Sequence, residues 1–210
     1  DSDDYNPNYG YPLADPINRV IGNPNPDFLL GINNTLTYKG LSLSFLFDIK
    51  QGGDMWNGTK GALAYFGTAQ MTEDRVPVDE NGNHIYALAN HLYEGVKASD
   101  GAPNDIEVPL DEYWYQTNGG GFGSVSEHFI EDASYYRLRY LTLSYNFGSM
   151  VSERLSNLTL SLTGRNLLLF TPYDGIDPET SLVGSGNGQG LDYFQLPGIR
   201  SYSVGLSVRF

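Results

Sequence analysis

Apolar and polar residues alternate along several stretches of the chain, and Gly, Pro or Asn bounds each stretch. In LSLSFLFDIKQ (41–51), the odd-numbered positions through Ile49 are apolar, whereas the even positions are mainly Ser, Asp and Lys. A period of two is typical of a β-strand whose two faces meet different surroundings. The pattern predicts an all-β fold with about five antiparallel, up-and-down strands, over residues 28–38, 41–51, 135–147, 157–170 and 199–210.

The predicted connections fall into two classes. Those at Lys39-Gly40 and 148–155 are tight, whereas those at 52–134 and 171–198 are long. Because consecutive antiparallel strands reverse direction, both tight turns lie at one end of the sheet and both long loops at the other. This asymmetry is typical of outer-membrane barrels, which have short periplasmic turns and long extracellular loops. Residues 1–27 are then predicted to be a further extracellular loop segment.

The less apolar face of the predicted strands separates a barrel from a sandwich. The solvent face of a soluble β-sandwich normally carries Lys, Glu and Arg. Here the corresponding positions are mainly Ser, Thr, Asn and Gly, as in SLT at 161–163. Small polar residues suit a crowded, wet barrel interior, and the opposite Leu, Phe and Tyr face suits lipid. The pattern favours a membrane barrel, with a soluble sandwich or jelly roll as the alternative.

Charge and composition narrow the classes of partner. The chain has 25 Asp and Glu residues against 12 Lys and Arg, so its formal net charge is −13. Such a chain repels phosphate backbones, and no nucleic-acid partner is expected. Cysteine is absent, which excludes disulfides and thiolate sites. No apolar run is long enough for a membrane-spanning helix, but alternating membrane strands average out to modest hydropathy.

The sequence contains no clear motif for a catalytic, cofactor-binding or metal site. His84, His91 and His128 lie in the long loop without a metal-ligand cluster around them. The Gly-rich segment 184–190 does not join a strand to a helix, so it is not indicated as a phosphate-binding loop. Asn81-Gly82 within DENGNH indicates a hairpin turn more strongly than a calcium site. No pair of carboxylates is indicated as an acid and base. We therefore expect no enzyme activity, no cofactor and no metal.

Four phrases, taken in order, resemble one protein family. They are NRVIGNPNPDFLLGINNTLTYKGLSLSFLFDIKQGGDMWN (18–57), YYRLRYLTLSYNF (135–147), GRNLLLFTPYDGIDPET (164–180) and LDYFQLPGIRSYSVGLSVRF (191–210). Together they resemble the carboxyl-terminal segments of SusC/RagA-type TonB-dependent outer-membrane transporters of Bacteroidetes. The resemblance runs from about Asn18 onward and is weakest through 59–131.

This resemblance implies a nutrient importer without chemistry on its substrate. The family's fold is a barrel of about 22 strands with an amino-terminal plug that contacts the TonB complex and a SusD-like lipoprotein lid over its mouth. No plug is present in this sequence, and five strands cannot close a barrel, so the chain is expected to be a fragment or one part of an assembly. The implied substrate is a glycan or oligosaccharide, with a peptide as the alternative. The implied location is the outer membrane, with strands in lipid, long loops extracellular and the carboxyl terminus periplasmic.

Two sets of residues are candidates for function. Aromatic residues of the long loop are candidates for contact with substrate or lid, although ordinary loop packing is an alternative for each: Trp56, Tyr65, Phe66, Tyr113, Trp114 and Tyr115. The chain's last strand resembles the signal that barrel-assembly machinery recognises, a polar residue, Gly and alternating hydrophobics ending on an aromatic: Ser203, Gly205, Val208 and Phe210. The other interpretation is that Phe210 merely finishes an apolar face.

A different functional class stays open on the sequence alone. A soluble all-β carbohydrate-binding module, with the loop aromatics as its binding face, also fits alternating strands. A β-sandwich hydrolase is a weaker third reading, because no acid-base pair stands out.

Overall fold

The computed structural model describes residues 10–73, 91–123, 125–148, 157–184, 186 and 188–209. The chain divides into two compact units. We call Asp1–Ile21 with Trp56–Ile130 the loop unit, and Gly22–Met55 with Glu131–Phe210 the sheet unit. Across the described ranges, no helix is both long and apolar enough to cross a membrane.

Strands dominate the secondary structure of the described residues. They are β1 (Phe28–Tyr38), β2 (Leu41–Gln51), β3 (Asp54–Asn57), β4 (His91–Leu92), β5 (Glu107–Val108), β6 (Ile130–Asp132), β7 (Tyr135–Asn146), β8 (Asn157–Phe170), β9 (Leu191–Asp192) and β10 (Ser201–Arg209). The helices are α1 (Gly58–Tyr65) and α2 (Glu112–Tyr115), with single 3-10 turns at Gln70–Thr72 and Glu127–Phe129.

The five long strands form one antiparallel sheet in the order β1-β2-β7-β8-β10. Neighbours in the sheet are also consecutive among the long strands, so the connectivity is up-and-down. The prediction of an all-β fold with five such strands is confirmed. Two boundaries differ from the predicted ones, because β7 ends at Asn146 rather than 147 and β10 begins at Ser201 rather than 199. Phe210 and most of the 148–155 turn lie outside the described residues.

A two-residue turn joins β1 to β2. Lys39 takes the left-handed conformation, with φ 52°, and the backbone N–H of Asn146 on β7 donates to the carbonyl of Gly40 at 2.8 Å. A Cβ on Gly40 would lie 2.5 Å from the carbonyl oxygen of Asn146, so this close approach requires glycine. The long connections leave the sheet at the opposite end from this turn, as the antiparallel order dictates.

The loop unit has a small core of its own. Asn57 caps α1 by accepting from the backbone N–H of Lys60 at 3.0 Å, and Asp111 caps α2 by accepting from that of Trp114 at 2.9 Å. Its buried apolar residues are Tyr11, Ala64, Val108, Trp114, Tyr115 and Phe129. The described residues of 56–130 are therefore packed around a core and form short helices and strands rather than an extended loop.

Candidate functional site

One face of the five-stranded sheet is mainly apolar, with Asn34 on β1, opposite Phe45, as a polar exception. In an antiparallel sheet, residues that are directly opposite each other point to the same face. One set of such partners crosses all five strands, and we call it the leucine row: Leu36, Leu43, Leu143, Leu162 and Val204. Four of its members are exposed, with Leu143 at 43% and Val204 at 70%. An exposed apolar surface of this extent is typical of a membrane or protein contact.

The opposite face carries hydroxyl groups in equally regular rows. The row next to the leucine row, here called the first hydroxyl row, is Thr35, Ser44, Thr142, Thr163 and Ser203. The second hydroxyl row is Thr37, Ser42, Ser144, Ser161 and Gly205. Hydroxyls pair across strands within both rows, at 2.9 Å between Thr142 and Thr163 and 3.1 Å between Thr37 and Ser42. The two rows therefore make their part of the face polar without placing a charge on it.

Charge on this face is concentrated near a β-bulge in β7. The register shifts between Leu138 and Tyr140 on β7, so Arg139 is an extra residue. Arg139 and Tyr140 both reach polar partners, Asp48 for the arginine at 2.8 Å and Asn33 for the tyrosine hydroxyl at 2.9 Å. The bulge thus places two consecutive polar side chains on the same face, which strict alternation does not allow.

Two arginines of β7 bind a segment of the connection that follows β8. Arg137, with its side chain 3% exposed, donates from Nη2 to Asp177 Oδ1 at 2.5 Å and from Nη1 to Asn166 Oδ1 at 2.8 Å. Arg139 donates to both carboxylate oxygens of Glu179, with Nη1 2.7 Å from Oε2. We call this arrangement the clamp: Asp48, Tyr135, Arg137, Arg139, Asp177 and Glu179.

Glu179 and Asp177 are the two acidic members of the clamp that lie outside the strands, and the pKa of Glu179 is shifted. Burial disfavours its charge, but hydrogen bonds from Arg139 and Tyr135 and the charges of both arginines outweigh that effect, so its pKa lies below the ordinary value of 4.5. A carboxyl with a lowered pKa stabilises the folded state above its unfolded pKa, and that contribution is lost as pH falls through the folded value. Glu179 is therefore ionised at neutral pH, as its contacts with the two arginines require.

The aromatic candidates of the loop unit lie in different surroundings. Trp114 and Tyr115 are buried, at 5% and 4% exposed, and Trp114 stacks on Tyr11 with ring centroids 5.1 Å apart. Trp56 is half-buried and packs against the same core. Tyr113 is half-exposed.

Phe66, the remaining exposed candidate, belongs to an aromatic cluster at the surface. Its ring and that of Tyr65 meet edge to face at 5.2 Å, and Tyr65 meets Phe122 in the same way at 4.9 Å. Phe66 and Phe122 are both more than half exposed. Phe122 was not among the candidates, since a single Phe in a Gly-rich stretch gives no signal in the sequence. We call Tyr65, Phe66 and Phe122 the aromatic cluster.

The remaining candidates from the sequence are also placed, where the structure describes them. Ser203, Gly205 and Val208 lie on β10, and a Cβ on Gly205 would lie 2.6 Å from Ser161 Oγ, which gives this glycine a packing role. His91 packs against Tyr93, and burial lowers the pKa of His128. His84 lies outside the described residues. Within the described part of the chain, no three His, Asp or Glu residues converge as metal ligands.

Known proteins match this chain over nearly its full length. No protein-family model matches. TonB-dependent receptor P26 of Formosa agariphila is 31% identical in an alignment of 201 residues that covers 91% of this chain and 18% of the receptor. TonB-dependent receptor P3 of the same organism is 29% identical in an alignment of 199 residues that covers 91% of this chain and 17% of the receptor. The chain thus spans less than a fifth of the length of these relatives.

Solved structures give the same picture for the fold. The RagAB peptide importer in its open-open state matches 89% of this chain and 17% of its own, with a TM-score of 0.55 and 22% identity. Its closed-closed state matches 91% of this chain and 18% of its own, with a TM-score of 0.54 and 21% identity. The chain therefore corresponds by sequence to part of a TonB-dependent receptor and by fold to part of the RagAB importer, as a SusC/RagA-like fragment does.

Proposed function

We propose that the sheet unit is a section of the barrel wall of an outer-membrane, TonB-dependent nutrient importer. The observation that carries this proposal is the alternation of the leucine row with the two hydroxyl rows across all five strands. A transmembrane barrel needs an apolar band against lipid and a polar face toward its lumen on every strand. A soluble carbohydrate-binding module needs no such exposed apolar band and would bury it.

The edges of the sheet support the same proposal. Among the described residues, β1 pairs only with β2 and β10 only with β8, so each has one unpaired edge. In hydrocarbon, unsatisfied backbone groups cost several kcal/mol each, so spanning strands must pair on both sides. Further strands of a barrel of about 22 are the proposed partners of both edges.

Orientation follows from the connections. Transmembrane barrels keep short turns in the periplasm and long loops outside the cell. The tight turn after β1 and the carboxyl end of β10 lie at the same end of the sheet, because β10 runs antiparallel to β8 and pairs Arg209 with Asn157. We propose that this end is periplasmic and that the long connections, which leave the opposite end of the sheet, are extracellular.

Import in this scheme requires parts beyond this chain. A plug pulled by the TonB complex would open the lumen, and a SusD-like lipoprotein lid would hold the substrate above it. The substrate is proposed to be a glycan or oligosaccharide. A peptide is the alternative; RagAB, whose fold this chain resembles, is described as a peptide importer. The chain itself supplies wall and loops and acts on no bond of the substrate.

The aromatic cluster and Tyr113 are the proposed contacts with lid or substrate. Tyr65, Phe66 and Tyr113 were predicted from the sequence, and Phe122 joins them; Phe66, Phe122 and Tyr113 are exposed and Tyr65 is partly buried, whereas Trp114 and Tyr115 are buried in the core of the loop unit. Exposed aromatic rings provide large contact area at low entropic cost. Recovery of the lid with the purified receptor tests this assignment, and equal recovery from a receptor whose loop unit is unfolded would overturn it.

Cell fractionation of the full-length receptor tests the proposed function. We expect it in the outer membrane, as a band that resists SDS and shifts on boiling, because a closed barrel keeps its strands paired in detergent. A soluble, monomeric product in the periplasm would refute the proposal and favour the carbohydrate-binding module. An outer-membrane protein without a heat-dependent shift would refute barrel closure.

We propose that the barrel-assembly machinery recognises the last strand through Ser203, Gly205, Val208 and Phe210. A free strand edge is available for capture by strand addition before the barrel closes. Deleting Phe210 should therefore slow the appearance of the heat-resistant form after a pulse of synthesis, whereas Phe210→Tyr should be tolerated. If the deletion matches the parent in rate and yield, Phe210 only completes an apolar face.

A further inference from the structure

The connection after β8 turns back onto the sheet. Asp177 follows the end of β8 by several residues, yet its carboxylate contacts Arg137, the third residue of β7. Glu179 contacts Arg139, two residues farther along the same strand. At about 3.4 Å per residue, these contacts lie roughly 7 to 14 Å from the start of β7. The segment Asp177–Thr180 therefore covers part of the polar face of the sheet.

Hydrogen bonds within the segment itself also hold it in shape. Asp177 Oδ1 accepts from the backbone N–H of Glu179 at 3.0 Å, and the carbonyl of Asp177 accepts from the Thr180 hydroxyl at 2.8 Å. Pro178 restricts the backbone between the two acids. Both acids are thus presented together toward the strands.

The strands offer a matching set of groups. Arg137 reaches Asp177, Asn166 and Glu179 at once, which the planar guanidinium fork allows and an ammonium group does not. The hydroxyl of Tyr135 donates to Glu179 at 2.7 Å, and the tyrosine ring lies under both guanidinium groups, at 5.3 Å from Arg137 Cζ. Such a set specifies one position of the segment more strongly than an exposed ion pair would.

We propose that Arg137 and Arg139 are positioning residues that hold Asp177–Thr180 against the polar face, so that this part of the connection lines the passage. The inference rests on the proposed function, which makes the polar face the lumen wall. The proposal also changes the prediction that the whole 171–198 loop is extracellular. Asp177–Thr180 would line the lumen, and the residues after Thr180 would make the contacts outside the cell.

Single-cysteine labelling of the full-length receptor tests the clamp, because this chain contributes no native cysteine. Ser181 directly follows the clamped segment, and its Oγ is buried with no hydrogen-bond partner among the described residues, so Ser181→Cys is a mild reporter. A membrane-impermeant maleimide should label it slowly in the parent. With Arg137→Gln added, we expect labelling at least about tenfold faster, because the segment then opens locally. Arg137→Lys should also accelerate labelling, since the fork is lost.

Arg165→Gln is the matched control. Arg165 lies in the same cleft as Arg137 and Arg139 but has no carboxylate within 4.0 Å in the described ranges, so its loss should leave the labelling rate unchanged. If Ser181→Cys is labelled at the parental rate in the Arg137→Gln variant while the heat-dependent shift is intact, the proposed role of Arg137 is contradicted. Equal acceleration by Arg165→Gln would overturn it as well.

A second variant covers the case in which Arg137→Gln does not fold. Glu179→Gln removes a clamp carboxylate from the connection and leaves every strand residue in place. It should accelerate labelling of Ser181→Cys while the heat-dependent shift persists, and an unchanged rate would contradict the proposal. Loss of the shift in the parent itself would instead count against the proposed barrel.

Discussion

Leu143→Arg is expected to destabilise the inserted receptor by about 2 to 4 kcal/mol if the residue lies near the bilayer midplane. Leu143 sits in the leucine row between Leu43 and Leu162 and is 43% exposed on the apolar face. An arginine there would place a charge in hydrocarbon, with only apolar neighbours in its row. The measurement is the free energy of unfolding of the full-length receptor in vesicles. The heat-dependent shift reports the folded fraction.

Ser144→Arg is the matched control for this prediction. Ser144 is the next residue, lies in the second hydroxyl row and pairs with Ser42 and Ser161. On the lumen side the charge meets water and polar groups, so the loss of stability should be much smaller and the main effect should be on passage of substrate. Equal losses at the two positions would contradict the assignment of the faces.

Trp114→Ala is expected to destabilise the loop unit by about 3 to 5 kcal/mol, the usual cost of removing a large buried aromatic side chain. Trp114 is 5% exposed, stacks on Tyr11 and lies 5.4 Å from the ring of Tyr93. Its removal leaves a cavity in the core of a small unit. The heat-dependent shift should persist, because none of these residues belongs to the five-stranded sheet.

Limited proteolysis of the intact receptor measures this effect. Cleavage within 56–130 should become faster in Trp114→Ala, and recovery of the lid should fall with it. The neighbouring Tyr113→Ala should keep parental protease resistance, because Tyr113 is half-exposed and surface substitutions usually change stability little. If Trp114→Ala resists the protease as well as the parent does, the buried position of Trp114 is contradicted.

The strands were predictable because their signal is local. Alternation in 41–51 and 157–163 directly reflects the two faces of the sheet, and the leucine row and hydroxyl rows follow once the strands pair in register. The bulge at Arg139 was not predictable in the same way. An extra residue in one strand is visible only against its partner strand.

The clamp was missed for a similar reason. RLR at 137–139 is an unusual pair of charges within an apolar strand, and that was the available signal. Its partners Asp177 and Glu179 lie some 40 residues later, and no short-range rule connects them. The loop aromatics show the same limit, because burial separates Trp114 from Tyr113 although they are adjacent in sequence.

In the proposed barrel the leucine row faces lipid and the hydroxyl rows face the lumen. Fluorescence quenching at two neighbouring positions distinguishes the two faces, with one probe on Leu143→Cys and the other on Ser144→Cys of the full-length receptor in vesicles. This chain contributes no other cysteine. We predict that brominated lipid quenches the probe at position 143 and a water-soluble quencher the probe at position 144. Quenching of both probes by the aqueous agent alone, or of neither by lipid, would contradict the account.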